Sequence, residues 1–148
     1  MTRRTLKTEL EALTLALSTN AIIQADLSAQ KIFDDFSEAL SYSRMHKRKR
    51  YLIWGLLIGR SADSFTVFFL VHKHVTCIGN DTFNNRIKTI INPRTPLTRD
   101  VTIISELHIV RDLRNNLFHN SGIHFTDQEL QDFVFKTIKC IQQLLMDL

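Results

Sequence analysis

The side chains in this sequence best suited to chemistry lie together between residues 100 and 121, in DVTIISELHIVRDLRNNLFHNS. They are His108, Arg111, Asp112, Asn115, Asn116 and His119, with Arg114 on their flank. Arginine grips a phosphate through a planar fork of donors, and histidine exchanges protons near neutral pH. Gathered at one helix end, Arg, Asn and His are groups that bind and protonate phosphate esters. The apolar residues of the same stretch say what carries them. Ile103, Ile104, Leu107, Val110, Leu113 and Leu117 recur at steps of three and four, one face of an α-helix. Thr98 is the expected N-cap, Asp100 places a negative charge in the first turn, and Ser121-Gly122 is the expected stop.

Within that helix Arg114 and His119 form an Arg-x4-His pattern, with a polar residue after the Arg and apolar residues before the His. Residues five apart on a helix are separated by about 140° and about 7.5 Å of rise. One copy is therefore not expected to turn both side chains easily onto one atom, although a long Arg on a loosened last turn could reach. Asn115 and His119, four apart, share a face. A two-fold axis near this end would bring two Arg, two Asn and two His into one cleft.

On these residues the chain resembles the HEPN superfamily, small all-α domains with an Arg, a polar residue, a short gap and a His near the end of a late helix. The specific likeness covers about 98–121; helix count, chain length and motif position agree in layout. The resemblance implies a metal-independent endoribonuclease acting as a homodimer, with both motifs at the interface. It implies attack of an RNA 2′-OH on the adjacent phosphorus, leaving a 2′,3′-cyclic phosphate. His119 would then be general acid or base, Arg114 the phosphate ligand, Asn115 an orienting group and Arg111 an auxiliary. A toxin–antitoxin or phage-defence setting, with a protein antitoxin as partner, belongs to the same implication. Other members of the superfamily only bind, so the alternative is a non-catalytic module for RNA, a nucleotide or a protein. A third reading is a structural helical dimer with an incidental polar helix end. Some HEPN toxins carry a tyrosine, the target of nucleotide transfer, two residues after the His. Ser121 stands there in this chain, so that form of control is not available to it.

A second cluster is basic. Arg44, Lys47, Arg48, Lys49 and Arg50, with His46 among them, form the densest cationic run. It reads as an RNA phosphate track or as a solvated helix terminus favoured by the helix dipole. Other chemistries find little material. His72-Lys73-His74 and His124 lack a helical ligand spacing, and Cys77 and Cys140 lie far apart, so no metal and no cofactor is expected. Both cysteines read as buried thiols of a reducing cytoplasm. Glu38, Asp34 and Asp35 fall on the exposed side of their helix, so no paired-carboxylate site is visible. Glycine-rich phosphate loops and Ser or Cys nucleophile motifs are absent.

The elements that must position these groups are helical. The 148 residues suit one domain, 1–148. With 44% hydrophobic and 23% charged residues the composition is that of a soluble globular chain. Net charge +4 admits a polyanionic partner without requiring one. Four Gly and two Pro leave little for the turns of a β fold. Glu9 and Glu11 interrupt the apolar start, so no secretory signal is expected. Periodicity predicts helices over 3–18, 21–45, 51–75 with a bend at Gly59, 81–91 and 98–121. A last helix opens at the capping box Thr126-x-x-Glu129. The most apolar stretch, 51–75, is divided by Gly59, Arg60, Asp63 and Ser64 and reads as a buried helix, not a membrane span. The expected fold is all-α, an antiparallel bundle of five or six helices, HEPN-like. RNA cleavage by such a protein should persist in excess EDTA; loss with chelator and recovery with a divalent ion would overturn the metal-free expectation.

Overall fold

The computed structural model describes residues 3–43, 47–120 and 125–148, with eight helical segments and no strand among them. They are α1 (Arg3–Thr19), α2 (Ala21–Gln24), α3 (Leu27–Ser41), α4 (Lys47–His72), α5 (Phe83–Ile90), α6 (Val101–Ser105), α7 (Leu107–Asn120) and α8 (Asp127–Asp147). The fold is all-α. Two helices expected to be continuous are each interrupted, one at Ala25-Asp26 between α2 and α3 and one at Glu106 between α6 and α7. Asp26 accepts hydrogen bonds from the amides of Ser28 (2.8 Å) and Ala29 (3.1 Å), ending α2 and starting α3. Asp100 accepts from the Ile103 amide at 3.0 Å and so caps α6 in place of Thr98. Thr98 instead accepts from the Asp100 amide and donates to Asp147 Oδ2 at 2.5 Å, tying the start of α6 to the end of α8. The expected stop at Ser121-Gly122 lies outside the described residues.

α4 is the centre of the molecule and packs against α3, α5, α7 and α8. It runs unbroken through Gly59 and on to His72, so the aromatic and β-branched stretch after Ser64 is helix. By length and composition Lys49–His72 could cross a membrane, but half of its most apolar window is buried inside the protein, as in a core helix. Tyr51, Trp54, Ile58, Ala62, Phe65 and Phe69 are buried. They meet Ala29, Ile32, Phe36 and Ala39 of α3 and Leu130, Phe133, Val134, Ile138, Ile141 and Leu144 of α8 in one core. The Trp54 indole donates to the Ala39 carbonyl at 2.5 Å, so the largest core side chain keeps its one polar atom bonded. α1 adds Leu6, Leu10, Leu13 and Leu17, at the spacing of a single helix face. The capping box of α8 is present, with the Glu129 amide 3.1 Å from Thr126 Oγ1.

Two glycines set how closely α7 and α8 approach α4. A Cβ at Gly55 would lie 3.1 Å from Leu117 Cδ1 and 3.1 Å from Phe133 Cε1. A Cβ at Gly59 would lie 3.2 Å from Arg114 Cγ and 3.3 Å from Phe133 Cζ. Four apart, the two glycines form a shallow strip on α4 into which α7 lays Arg114 and Leu117. Gly55→Val should therefore lower stability by about 1–3 kcal/mol through overpacking, although valine restricts the unfolded chain more than glycine does. A urea titration with an unchanged or higher midpoint would contradict this close approach.

Candidate functional site

α4 and α7 enclose a cleft of about 390 Å3, lined by Leu56, Leu57, Arg60, Arg114, Asn115 and His119. Three of the four residues singled out on the Arg-x4-His helix thus meet in one cavity of one chain. The five-residue step does not divide them, because the long Arg114 stem crosses Gly59 while His119 stands exposed in the last turn of α7. Arg111 is not brought to the cleft; its guanidinium pairs with the adjacent Asp112 at 2.9 Å.

Arg114 is held from three sides. Its Nη1 donates to Asp63 Oδ2 at 2.5 Å and its Nη2 to Asn115 Oδ1 at 3.3 Å. Its guanidinium carbon lies 5.2 Å from the centre of the Phe83 ring. Asp63 also accepts from Arg86, whose side chain is only 8% exposed. Arg86 donates further to Thr66 Oγ1 (2.9 Å) and Asp81 Oδ1 (2.6 Å). Asp81–Arg86–Asp63–Arg114 is therefore a continuous chain of ion pairs reaching from the start of α5 to the cleft. A guanidinium buried as deeply as Arg86 needs such partners, since an uncompensated buried charge costs several kcal/mol.

Arg60, on α4, also lines the cleft. Its Nε and Nη2 meet the two oxygens of Asp35 at 3.1 and 2.5 Å, and Ser61 donates to the same carboxylate at 3.2 Å. The hydrogen bonds and charge of Asp35 raise the Arg60 pKa above its already high ordinary value. Asp35 was expected on an exposed face; its side chain is only 16% exposed, because α3 turns it toward α4. Leu56 and Leu57 complete the lining with aliphatic surface.

Within the basic run, the described side chains of Lys49 and Arg50 do not share one surface. Successive helical residues are about 100° apart, so a contiguous run cannot face one way. Lys49 is exposed, but Arg50 is 1% exposed, with its guanidinium carbon 4.6 Å from the Tyr51 ring and 5.5 Å from that of Trp54. Arg50 is thus a core residue and not part of a phosphate track. Arg44 and the side chains of Lys47 and Arg48 lie outside the described residues. Lys49 and Arg60, eleven apart, fall within about 20° of one line along α4, so Lys49 shares the cleft side of that helix.

Other titratable groups stand apart from the cleft. Burial, with Arg111 and Lys88 beside it, lowers the His108 pKa below the ordinary histidine value. Cys140 is buried and its thiol is pushed up to about 12 by desolvation, whereas Cys77 is only half-buried, against the expectation for it. Among the described residues no three His, Cys, Asp or Glu side chains converge to hold a metal ion.

Arg60, Asp35 and Asp63 were not recognised in the sequence as site residues. The available signal was charge inside the most apolar helix: Arg60 and Asp63 interrupt it, and a charge there must find a partner. Compared with family models, curated proteins and solved structures, the chain matches none. Asp63→Asn, which keeps the shape and removes the charge, should cost about 1–3 kcal/mol of stability as Arg86 and Arg114 lose their shared anion. An unchanged denaturation midpoint would show that this bridge contributes nothing.

Proposed function

We propose that the protein is a metal-independent endoribonuclease of the HEPN type. The observation that supports this best is the meeting of Arg114, Asn115 and His119 in one cleft, on the residues that carry the resemblance. In this reading a single-stranded RNA lays its scissile phosphate against Arg114, which balances the charge that develops as the 2′-oxygen attacks phosphorus. His119 transfers the proton, as base to the 2′-OH or as acid to the departing 5′-oxygen. The P–O5′ bond breaks and the products are a 2′,3′-cyclic phosphate and a 5′-OH. Asn115, already bonded to Arg114, orients the guanidinium. A homodimer, in which a second His119 takes the complementary proton role, and a toxin–antitoxin or phage-defence setting with a protein antitoxin, are part of the same proposal.

One observation favours the non-catalytic alternative. Asp63 already grips Arg114 at 2.5 Å, so a substrate phosphate must share or displace that carboxylate. A module that only binds RNA, a nucleotide or a protein tolerates such a tie better than an enzyme does.

Cleavage of one labelled single-stranded RNA separates the two. His119→Ala should slow cleavage by about 10²–10⁴-fold. Because His119 is exposed, its loss should leave the melting temperature nearly unchanged. Arg114→Ala should cost about 10²–10³-fold by analogy with an oxyanion-hole donor. That variant should also melt lower, since it breaks the Asp63 bridge and the Phe83 contact. Arg114→Lys should not restore full activity, because lysine lacks the planar fork. Wild-type rates in well-folded His119→Ala protein would remove the motif from the mechanism.

A further inference from the structure

We propose that Arg60 is the second phosphate-binding guanidinium of the cleft, and that the cleft takes one nucleotide unit of a single strand, its phosphate between Arg60 and Arg114 and its base or ribose on Leu56 and Leu57. The proposal rests on the ribonuclease reading above for its substrate class. It rests on the structure for the residue, which lies outside the Arg-x4-His helix.

Arg60 and Arg114 come from different helices and line the same cavity. Asp35 sits deeper than Arg60, at 16% against 62% side-chain exposure, whereas Asp63 and Arg114 are buried to a similar degree, at 30% and 23%. Asp35 takes the Nε and Nη2 side of Arg60, which leaves Nη1 and the second Nη2 hydrogen on the other edge of the planar fork. A surface pair of this kind adds little to stability. Its effect is to hold a long, flexible side chain in one orientation, so that less freedom is lost when an anion binds. The Ser61 hydroxyl, with the Leu57 carbonyl at 3.0 Å and Asp35 Oδ2 at 3.2 Å as acceptors, lies against the same carboxylate. Asp35 is therefore a positioning residue for Arg60.

The walls fit the rest of a nucleotide. Two leucines, Leu56 partly exposed and Leu57 half-buried, give the cleft aliphatic surface beside its two arginines. A volume of about 390 Å3 is in the range of small-ligand sites, which fits one unit of a strand and not a duplex. Cationic groups for phosphate beside apolar surface for a base are the combination by which single strands are held.

The test is calorimetric titration with adenosine 3′-monophosphate in EDTA, alongside cleavage of the labelled RNA. Arg60→Gln should weaken binding of the nucleotide about tenfold or more, with Arg60→Lys in between. Asp35→Asn should weaken it less, and adding Asp35→Asn to Arg60→Gln should weaken it no further, which a merely structural role for Asp35 would not produce. If Arg60→Gln binds as wild type does while Arg114→Gln does not bind, Arg60 has no role and the ribonuclease reading stands. If Leu56→Asp, at an exposed position, leaves the affinity unchanged, the apolar subsite is wrong. Wild-type protein that neither binds the nucleotide nor cleaves RNA overturns both the clamp and the reading beneath it.

Discussion

Charge placed inside an apolar helix has to be paired, and the pairing of Asp63 organises this molecule. The residue sits in α4, the helix that packs against most of the others, and its two oxygens hold Arg86 and Arg114. Through Arg86 the carboxylate fastens α5. Through Arg114 it fastens α7, whose stem passes over Gly59 where a side chain would block it. Removing water from these groups is costly, and the cost is met only when each guanidinium finds several acceptors. Arg86 has three: Asp63, Asp81 and Thr66. The network therefore specifies one relative position of α4, α5 and α7 better than apolar contacts would, since apolar contacts are non-directional.

The cleft follows from that position. α7 is held against α4 at Gly55 and Gly59, and beyond the glycines the two helices leave an opening floored by Leu56 and Leu57. Each arginine of the cleft is paired with a carboxylate, Asp35 for Arg60 and Asp63 for Arg114. Carboxylates in that position lower the local positive potential but fix the geometry. In the proposed reading an anion would be recognised by the directed donors of two planar forks more than by net charge. The chain's net charge of +4 agrees with this, being too small to make a strong general attraction for polyanions.

Much of the architecture was legible in the residues. Helix type follows from apolar spacing, and the capping box Thr126–Glu129 marks the start of α8 as expected; the number does not, since eight segments stand where five or six helices were expected. Boundaries failed where a capping side chain competed with periodicity. Asp26 breaks a stretch whose apolar pattern runs on, because a carboxylate that accepts backbone amides stabilises a new helix start, and α6 and α7 part at Glu106 within another such stretch. Thr98 was misread for a related reason: its hydroxyl is used by Asp147, 49 positions away, and no local pattern reveals that.

The sequence by itself determined that the chain is all-helical and that Arg114, Asn115 and His119 stand at one end of one helix. Both depend on local spacing, which is written into consecutive residues. Only the tertiary structure decided which cations are available. Arg50 and Lys49 are neighbours in a basic run, yet one is stacked on Tyr51 and Trp54 in the core and the other is exposed. Arg60, which read only as a break in an apolar stretch, lines the same cleft as Arg114. Whether a charge meets water, a ring or a carboxylate depends on which helix packs beside it. That choice is made by contacts between residues far apart in the chain, as Asp35 with Arg60 and Asp63 with Arg114 are.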